Sequence, residues 1–260
     1  MKHISFLFAV GLIGLLASCH PVNDVATSIK PTINVSAAPE PTNTSPMTVD
    51  LLDGELAANW RGFKSEQVPL GWTLANGVLT FVPPTKAERA EAQAAGRKAG
   101  GDLVSLKTFG DFELNMDWKI TKGGNSGIFV RANEQFGKPW HSSIEIQIID
   151  HTEIDMTNSK QALHNAGAIY DLYPAHPDSF VPIGEWNTVK IRMVGSKVTV
   201  TQNGELVADV DMNSEEFKNR FENSKFQRVA PRSGSFASGF IGLQDHGGEC
   251  AYRNIRVTEL

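Results

Sequence analysis

The sequence predicts an all-β domain, a β-sandwich or jelly roll carrying one or two short surface helices. Three observations lead there. The run "FELNMDWKI" (112–120) alternates Phe112, Leu114, Met116, Trp118 and Ile120 with polar residues, a period of two over nine residues. Other strand-like runs are short and separated by Gly-rich turns, and helical patterning is confined to two stretches. No internal repeat of fixed period is visible, which argues against a propeller.

Taken in order, "WTLANGVLTFV" (72–82) pairs two strands around Asn76-Gly77. "TKAERAEAQAAGRKAG" (85–100) is rich in Ala, Glu, Lys and Arg, with Thr85 placed to cap its start and Gly its end. It has almost no large apolar residues, so it is a surface helix or a lid. After 112–120, "GGNSG" and then "IFVRA" predict a turn that returns the chain as a hairpin. "WNTVKIRMVGSKVTVTQNGELVADVDM" (186–212) predicts a three-stranded meander with turns at Gly195-Ser196 and Asn203-Gly204. Asn-Gly suits a type I′ turn, which needs positive φ at both central residues. "NSEEFKNRFENSKF" (213–226) sets Phe217 and Phe221 at i, i+4 behind an Asn213 cap, a short helix packing one face. "GFIGLQDHG" and "AYRNIRVTEL" close the chain as strands.

The ends of the chain carry a different signal. Met1-Lys2-His3 and "ISFLFAVGLIGLLA" form a basic start and an apolar run too short for a membrane span. The run ends in "LASC", which resembles the lipobox of bacterial lipoproteins. That resemblance implies cleavage before Cys19, lipidation of its thiol, and a lipid-anchored place in the bacterial cell envelope, periplasm or outer membrane; an ordinary secretory signal is the alternative. Residues 20–46 are rich in Pro, Thr, Ser and Asn with no periodic apolar face, so they read as a disordered tether. Residues 47–260 suit one large all-β domain. The chain has two cysteines, and with Cys19 lipidated Cys250 has no partner. A net charge of −5 and the lack of a Lys/Arg cluster with interleaved aromatics predict no nucleic-acid partner.

The chemistry-bearing stretch is "WHSSIEIQIID" (140–150). Ile144, Ile146 and Ile148 alternate with Glu145 and Gln147, so a strand here turns a carboxylate and an amide to the face away from the core. A solvated face and a substrate-binding face both fit. In "GFIGLQDHG" a regular strand puts Gln244 and His246 on one face and Ile241, Leu243 and Asp245 on the other, and a His titrates near neutral pH. "ALHNAGAIYDLYPAH" gathers His164, Tyr170, Asp171, Tyr173 and His176, side chains suited to sugar hydroxyls and equally ordinary in a loop. No metal spacing stands out and no cofactor is predicted, although a His/Asp/Glu cluster assembled in space would admit a divalent metal. G-x-S-x-G does not occur.

In the order "GGDLVSLKTFGDFEL", "GGNSGIFVRA", "SSIEIQIID", "HNAGAIYDLY", "GEWNTVKI" and "GFIGLQDHG…YRNIRV", the chain closely resembles the family of 3-keto-disaccharide hydrolase domains, also described as 3-keto-glucoside 1,2-lyase/2-hydroxy-glucal hydratases. The resemblance runs from about Val49 to Leu260. It implies a concanavalin A-like jelly roll with carbohydrate on the concave sheet, and a partner sugar 3-dehydrogenase that supplies an oxidised oligosaccharide or glucoside. It also implies a chemistry. The ketone acidifies the C2 proton, a base removes it, the aglycone leaves from C1 by β-elimination, and water adds back. Placed on the matching motifs, Glu145 and His246 are the acid/base candidates, with His164 in reserve. Gln147 and Gln244 bind hydroxyls, Arg131 and Lys107 supply positive charge for an enolate oxygen, and Tyr170, Asp171 and Asp245 complete the binding set. Segment 85–99 interrupts the family pattern as either a cover over the concave face or outside decoration. Two competing functions are a lectin-like binding module and an ordinary jelly-roll glycoside hydrolase, which requires a second carboxylate near Glu145.

Overall fold

A computed structural model describes residues 46–260. The expected signal peptide, Cys19 and nearly all of the tether lie outside the described residues. The strands are β1 (Thr48–Asp50), β2 (Trp60–Gly62), β3 (Trp72–Ala75), β4 (Val78–Phe81), β5 (Leu103–Phe109), β6 (Phe112–Ile120) and β7 (Asn125–Ala132). They continue as β8 (Ile144–Ile149), β9 (Asn187–Val194), β10 (Lys197–Gln202), β11 (Glu205–Asp211), β12 (Gly239–Leu243) and β13 (Cys250–Glu259). Helices are short: α1 (Leu56–Asn59), α2 (Lys86–Ala94), α3 (Ser159–Ala162), α4 (Glu215–Glu222) and α5 (Phe226–Val229). An eight-stranded antiparallel sheet runs β11-β10-β9-β6-β13-β4-β3 with β1 also on β13, and a five-stranded sheet runs β2-β5-β12-β7-β8. This is the expected β-sandwich.

The alternation of β6 is realised in full. Phe112, Leu114, Met116, Trp118 and Ile120 are buried against the facing sheet, each contributing roughly 1.5–3 kcal/mol of apolar transfer free energy. Ile144, Ile146 and Ile148 of β8 join the same core from the other sheet. The Asn-Gly turns are as expected: Asn76, Gly77, Asn203 and Gly204 all have positive φ.

The expected β6–β7 hairpin is not formed. β6 pairs with β9 and β13, whereas β7 pairs with β8 and β12 in the other sheet. The "GGNSG" stretch is a crossover between sheets, tied to the far end of β8. The Asp150 carboxylate accepts the Gly123 N–H (2.8 Å), and the Asp150 N–H donates to the Gly124 carbonyl (2.9 Å). Turn chemistry read from sequence shows that the chain bends but not which sheet it enters.

Both helical stretches form, with changes. α2 starts on a Thr85–Glu88 capping box and buries only Ala92, so it is a surface helix. Its return is fixed where Arg89 donates to the carbonyls of Pro84 (3.0 Å) and Ala99 (3.2 Å). The second stretch splits into α4 and α5, and the cap of α4 is Ser214 rather than Asn213, its hydroxyl accepting the Phe217 N–H (3.1 Å).

Two positive groups expected at the site are used elsewhere. Between Phe129 and Ala132, β7 carries one residue more than β12 opposite it, a bulge that holds Arg131 at φ +58°. The Arg131 guanidinium, 3% exposed, donates to the Gly110 carbonyl (3.0 and 2.8 Å), the Gly195 carbonyl (2.7 Å) and Asp111 (3.0 Å). It joins a β7 bulge to the β5–β6 and β9–β10 turns. Gly239 permits the approach, since a Cβ there would lie 2.4 Å from the Arg131 carbonyl carbon. Lys107 sits in a second irregularity, where the Ser105 hydroxyl donates to the Lys107 carbonyl (2.7 Å) and accepts the Ile241 N–H (3.0 Å). Its ammonium pairs with Glu259 of β13. Arg131→Leu should therefore cost about 1–3 kcal/mol in a urea titration, because the hydrogen bonds of one buried guanidinium to the Gly110 and Gly195 carbonyls and Asp111 are lost together; a loss under about 0.5 kcal/mol would contradict this structural role.

Candidate active site

The site is built on the face of the five-stranded sheet that points away from the core. Glu145 pairs across β7 with Phe129, and Gln147 with Gly127. Period two sends both side chains opposite to the isoleucines, as expected, yet this face is not solvated: Glu145 is 7% and Gln147 3% exposed. One reason is that the segment after α3 covers the free edge of β8. Gln147 N–H donates to the Ala168 carbonyl (3.0 Å), Gly167 N–H to Gln147 (2.8 Å), and Tyr170 N–H to Glu145 (2.9 Å). Gly127 makes the space for the carboxyl, since a Cβ there would stand 2.7 Å from Glu145 Oε1.

Gln244, just past the end of β12, donates from Nε2 to Glu145 Oε1 (3.1 Å) and from its backbone N–H to the Gly127 carbonyl (2.9 Å). Burial pushes the Glu145 carboxyl up to about 7; Lys225 opposes this, the Asp102 charge adds to it, and the Gln244 hydrogen bond opposes it. A carboxyl in that range is an ionisable base at neutral pH. Gln147 Oε1 is fully buried and has no hydrogen-bond donor among the described residues.

Asp102, immediately before β5 in "GGDL", is a further carboxylate of the site that no local spacing in the sequence marks. Its pKa is raised by burial, against the Asp245 N–H that donates to Oδ1 (3.0 Å) and the charges of Lys138 and Lys98. Asp245 is a brace here: its carboxylate accepts the N–H groups of Gly101 (2.7 Å) and Gly247 (3.0 Å). A Cβ on Gly100 would lie 2.8 Å from Asp245 Oδ2, so glycine is required where the return from α2 meets this brace.

A second layer forms the rim. His164 Nε2 lies 2.8 Å from Asp171 Oδ1, and the His164 ring stacks on Tyr170 at 4.7 Å. Asp171, at φ +60°, accepts the backbone N–H of Lys225 on its other oxygen (2.7 Å). The Lys225 ammonium sits over the rings of Tyr170 (4.0 Å), Phe226 (5.4 Å) and Trp140 (5.7 Å). Burial lowers the Lys225 pKa, while Glu145 and Asp171 raise it. Burial raises that of the Tyr170 hydroxyl, helped by Glu145 and Asp171.

The structure thus gathers Glu145, Gln147, Gln244, Tyr170, Asp171 and His164 in one region and adds Asp102, Lys225 and Trp140. It does not join His246 to Glu145. β12 ends at Leu243, so the parity that put Gln244 and His246 on one face no longer applies, and His246 is exposed in the following turn. Lys225 lies in "NSKF", where the Phe spacing signals packing and nothing local marks the lysine. A separate groove of about 480 Å³ beside Phe217, Phe221 and Phe236 contains none of the Glu145 partners. Among the described residues no group of three or more His, Cys, Asp or Glu is arranged to hold a metal ion.

Residues 48–258, from β1 to β13, match the family described as the 3-keto-alpha-glucoside-1,2-lyase-like domain. The chain belongs to this family. A 3-keto-disaccharide hydrolase of Bacteroides thetaiotaomicron is similar at 33% identity over 232 residues, covering 82% of this chain and 78% of that protein. Two crystal structures of proteins from Parabacteroides distasonis, provisionally assigned as glycosyl hydrolases, share the fold. One has a TM-score of 0.69 at 24% identity, covering 82% of this chain and 94% of the other; the second has 0.56 at 24%, covering 77% and 99%. The family membership inferred from the motifs is correct, and this 3-keto-alpha-glucoside-1,2-lyase-like domain spans the whole sandwich.

Its buried carboxyl has a stability signature. A carboxyl whose folded pKa is raised from the ordinary 4.5 to about 7 keeps its proton longer than the unfolded chain does, so stability falls as pH rises between those values. Glu145→Gln should remove that loss. The variant should unfold at a higher temperature than wild type at pH 8, by an amount equivalent to at most about 3 kcal/mol, and match it at pH 4. An equal gain at both pH values would exclude buried ionisation as the cause.

Proposed function

We propose that the chain cleaves the glycosidic bond of 3-keto-glycosides, with Glu145 removing the C2 proton. The C2–H electrons form an enolate with the C3 ketone. The enolate collapses to a C1–C2 double bond as the C1–O bond breaks and the aglycone leaves with its electron pair. Water then adds its oxygen to C1 and a proton to C2, so the sum is hydrolysis. The observation that carries this reading is the Glu145 carboxyl itself: nine-tenths buried, raised to about 7, and oriented by one amide from Gln244. Family membership and the Bacteroides relative named a 3-keto-disaccharide hydrolase support the substrate class. Gln147, with its unpartnered oxygen, and Tyr170 bind sugar hydroxyls. An oxidoreductase acting on the sugar 3-hydroxyl must supply the substrate. The lipobox-like "LASC" supports an anchor at Cys19 and a place in the cell envelope.

One observation favours a second reading. Asp102 is a second carboxyl whose charge reaches Glu145, as direct hydrolysis by a carboxyl pair requires. Its hydrogen bond to the Asp245 backbone speaks for a structural part instead.

Aglycone release by the full chain from a 3-keto-glucoside and from its unoxidised parent separates the two. Release is expected from the keto form alone, with kcat in Glu145→Gln down by about 10²–10⁴-fold. Because the base must be ionised, wild-type kcat/KM should rise through pH 7 toward a plateau, following the raised Glu145 pKa. Release from the unoxidised parent, lost alike in Glu145→Gln and Asp102→Asn, would establish direct hydrolysis and end the elimination reading.

A further inference from the structure

Elimination through an enolate needs a positive donor at the C3 oxygen as well as a base at C2, because charge develops on that oxygen as the proton leaves. The two groups expected from the motifs are engaged, Arg131 by three turns of the fold and Lys107 by Glu259. Lys225 is the basic side chain whose charge acts on Glu145. Lys225 is exposed at the rim, and its ammonium has no hydrogen-bond acceptor and no ion pair among the described residues; its neighbours are the faces of Tyr170, Phe226 and Trp140. An ammonium has three donors, and one that the protein leaves unfilled while open to solvent is free to donate to a bound substrate. Here a carboxyl and a cation lie within each other's field without closing to an ion pair. A pair kept apart in this way leaves room for a group that takes a proton transfer on one side and a hydrogen bond on the other.

We propose that Lys225 is a catalytic residue whose ammonium donates to the C3 oxygen of the keto-sugar while Glu145 takes the neighbouring C2 proton. This rests on the 3-keto-glycoside reading above. The C2 hydrogen and C3 oxygen are on adjacent carbons, so one ring set between the two side chains presents each to its partner. Burial lowers the Lys225 pKa, but the charges of Glu145 and Asp171 and the aromatic faces favour its charged form, which is a hydrogen-bond donor rather than an amine nucleophile. Its position is set by a relay through backbone: His164 holds Asp171, and Asp171 accepts the Lys225 N–H. His164 and Asp171 are thereby positioning residues, a different part from the acid/base and substrate-binding roles that the motifs implied.

The test uses the full chain, a 3-keto-glucoside with a good leaving group, and the variants Lys225→Met and Lys225→Arg, each checked by thermal melting. Lys225→Met should lower kcat about 10²–10³-fold with KM changed less than about threefold, and Lys225→Arg should recover at least about tenfold of that loss. The acid limb of the kcat/KM profile should move to higher pH in Lys225→Met, because Glu145 loses the cation that holds its pKa down. In deuterium oxide, exchange of the C2 hydrogen of a 3-keto-sugar lacking a leaving group should slow in parallel. Three outcomes would overturn the proposal. Wild-type activity on the keto form with kcat of Lys225→Met within about threefold would leave the substrate reading standing and remove Lys225 from the chemistry. A borohydride-trapped sugar adduct on Lys225 would show an iminium in place of a hydrogen-bonded ketone. No wild-type turnover of the keto form would remove the substrate reading and this proposal with it.

Discussion

The rest of the site depends on one constraint: a carboxyl is held out of water on a sheet whose other face is the hydrophobic core. Desolvation opposes the ionised form of Glu145, and the fold offsets only part of that cost through the Gln244 amide and the field of Lys225. Full compensation would give an ordinary carboxylate, ionised and inert across the working range. No compensation would give a neutral acid. Partial compensation leaves it near neutrality, where proton transfer in either direction is cheap.

That constraint explains features that have little value for packing. Gly127 gives up a side chain in a buried strand so that the carboxyl fits. The backbone of segment 167–170 pairs with the free edge of β8, satisfying groups that an edge strand leaves open and bringing Tyr170 to the rim. The bulge at Arg131 turns a charged residue that would share the Glu145 face into a fastening between turns at the opposite end of the strand. The cations whose charge reaches the two carboxyls are Lys225 at Glu145, and Lys138 and Lys98 at Asp102.

The rim and the floor are made differently. Floor residues Glu145, Gln147 and Gln244 stand on or just past strands, where period and pairing restrict their directions. Rim residues His164, Tyr170, Asp171 and Lys225 come from two connections that meet only in the fold, where the Lys225 N–H donates to Asp171 and Arg220 donates to the Leu172 carbonyl. The Lys225–Asp171 contact of this network joins residues 54 positions apart, so the rim forms only once both connections are folded.

The sequence by itself determined the alternation of β6, the Asn-Gly turns, the sandwich class, the capping of α2 and the family. Each of these depends on neighbours within a few positions or on motifs in a set order. It also determined that Glu145 and Gln147 share a face, because period two is a property of one strand. Tertiary structure decided whether that face was wet, since the covering segment follows about twenty positions later along the chain. It decided that "GGNSG" crosses between sheets rather than closing a hairpin. A one-residue bulge, which shifts parity, took Arg131 off the Glu145 face, the irregularity of β5 and the Glu259 pair hold Lys107 elsewhere, and the early end of β12 left His246 apart from Glu145. Asp102 and Lys225 entered by proximity alone. Burial and electrostatic field belong to the three-dimensional neighbourhood of a side chain, and no local spacing in the chain encodes them.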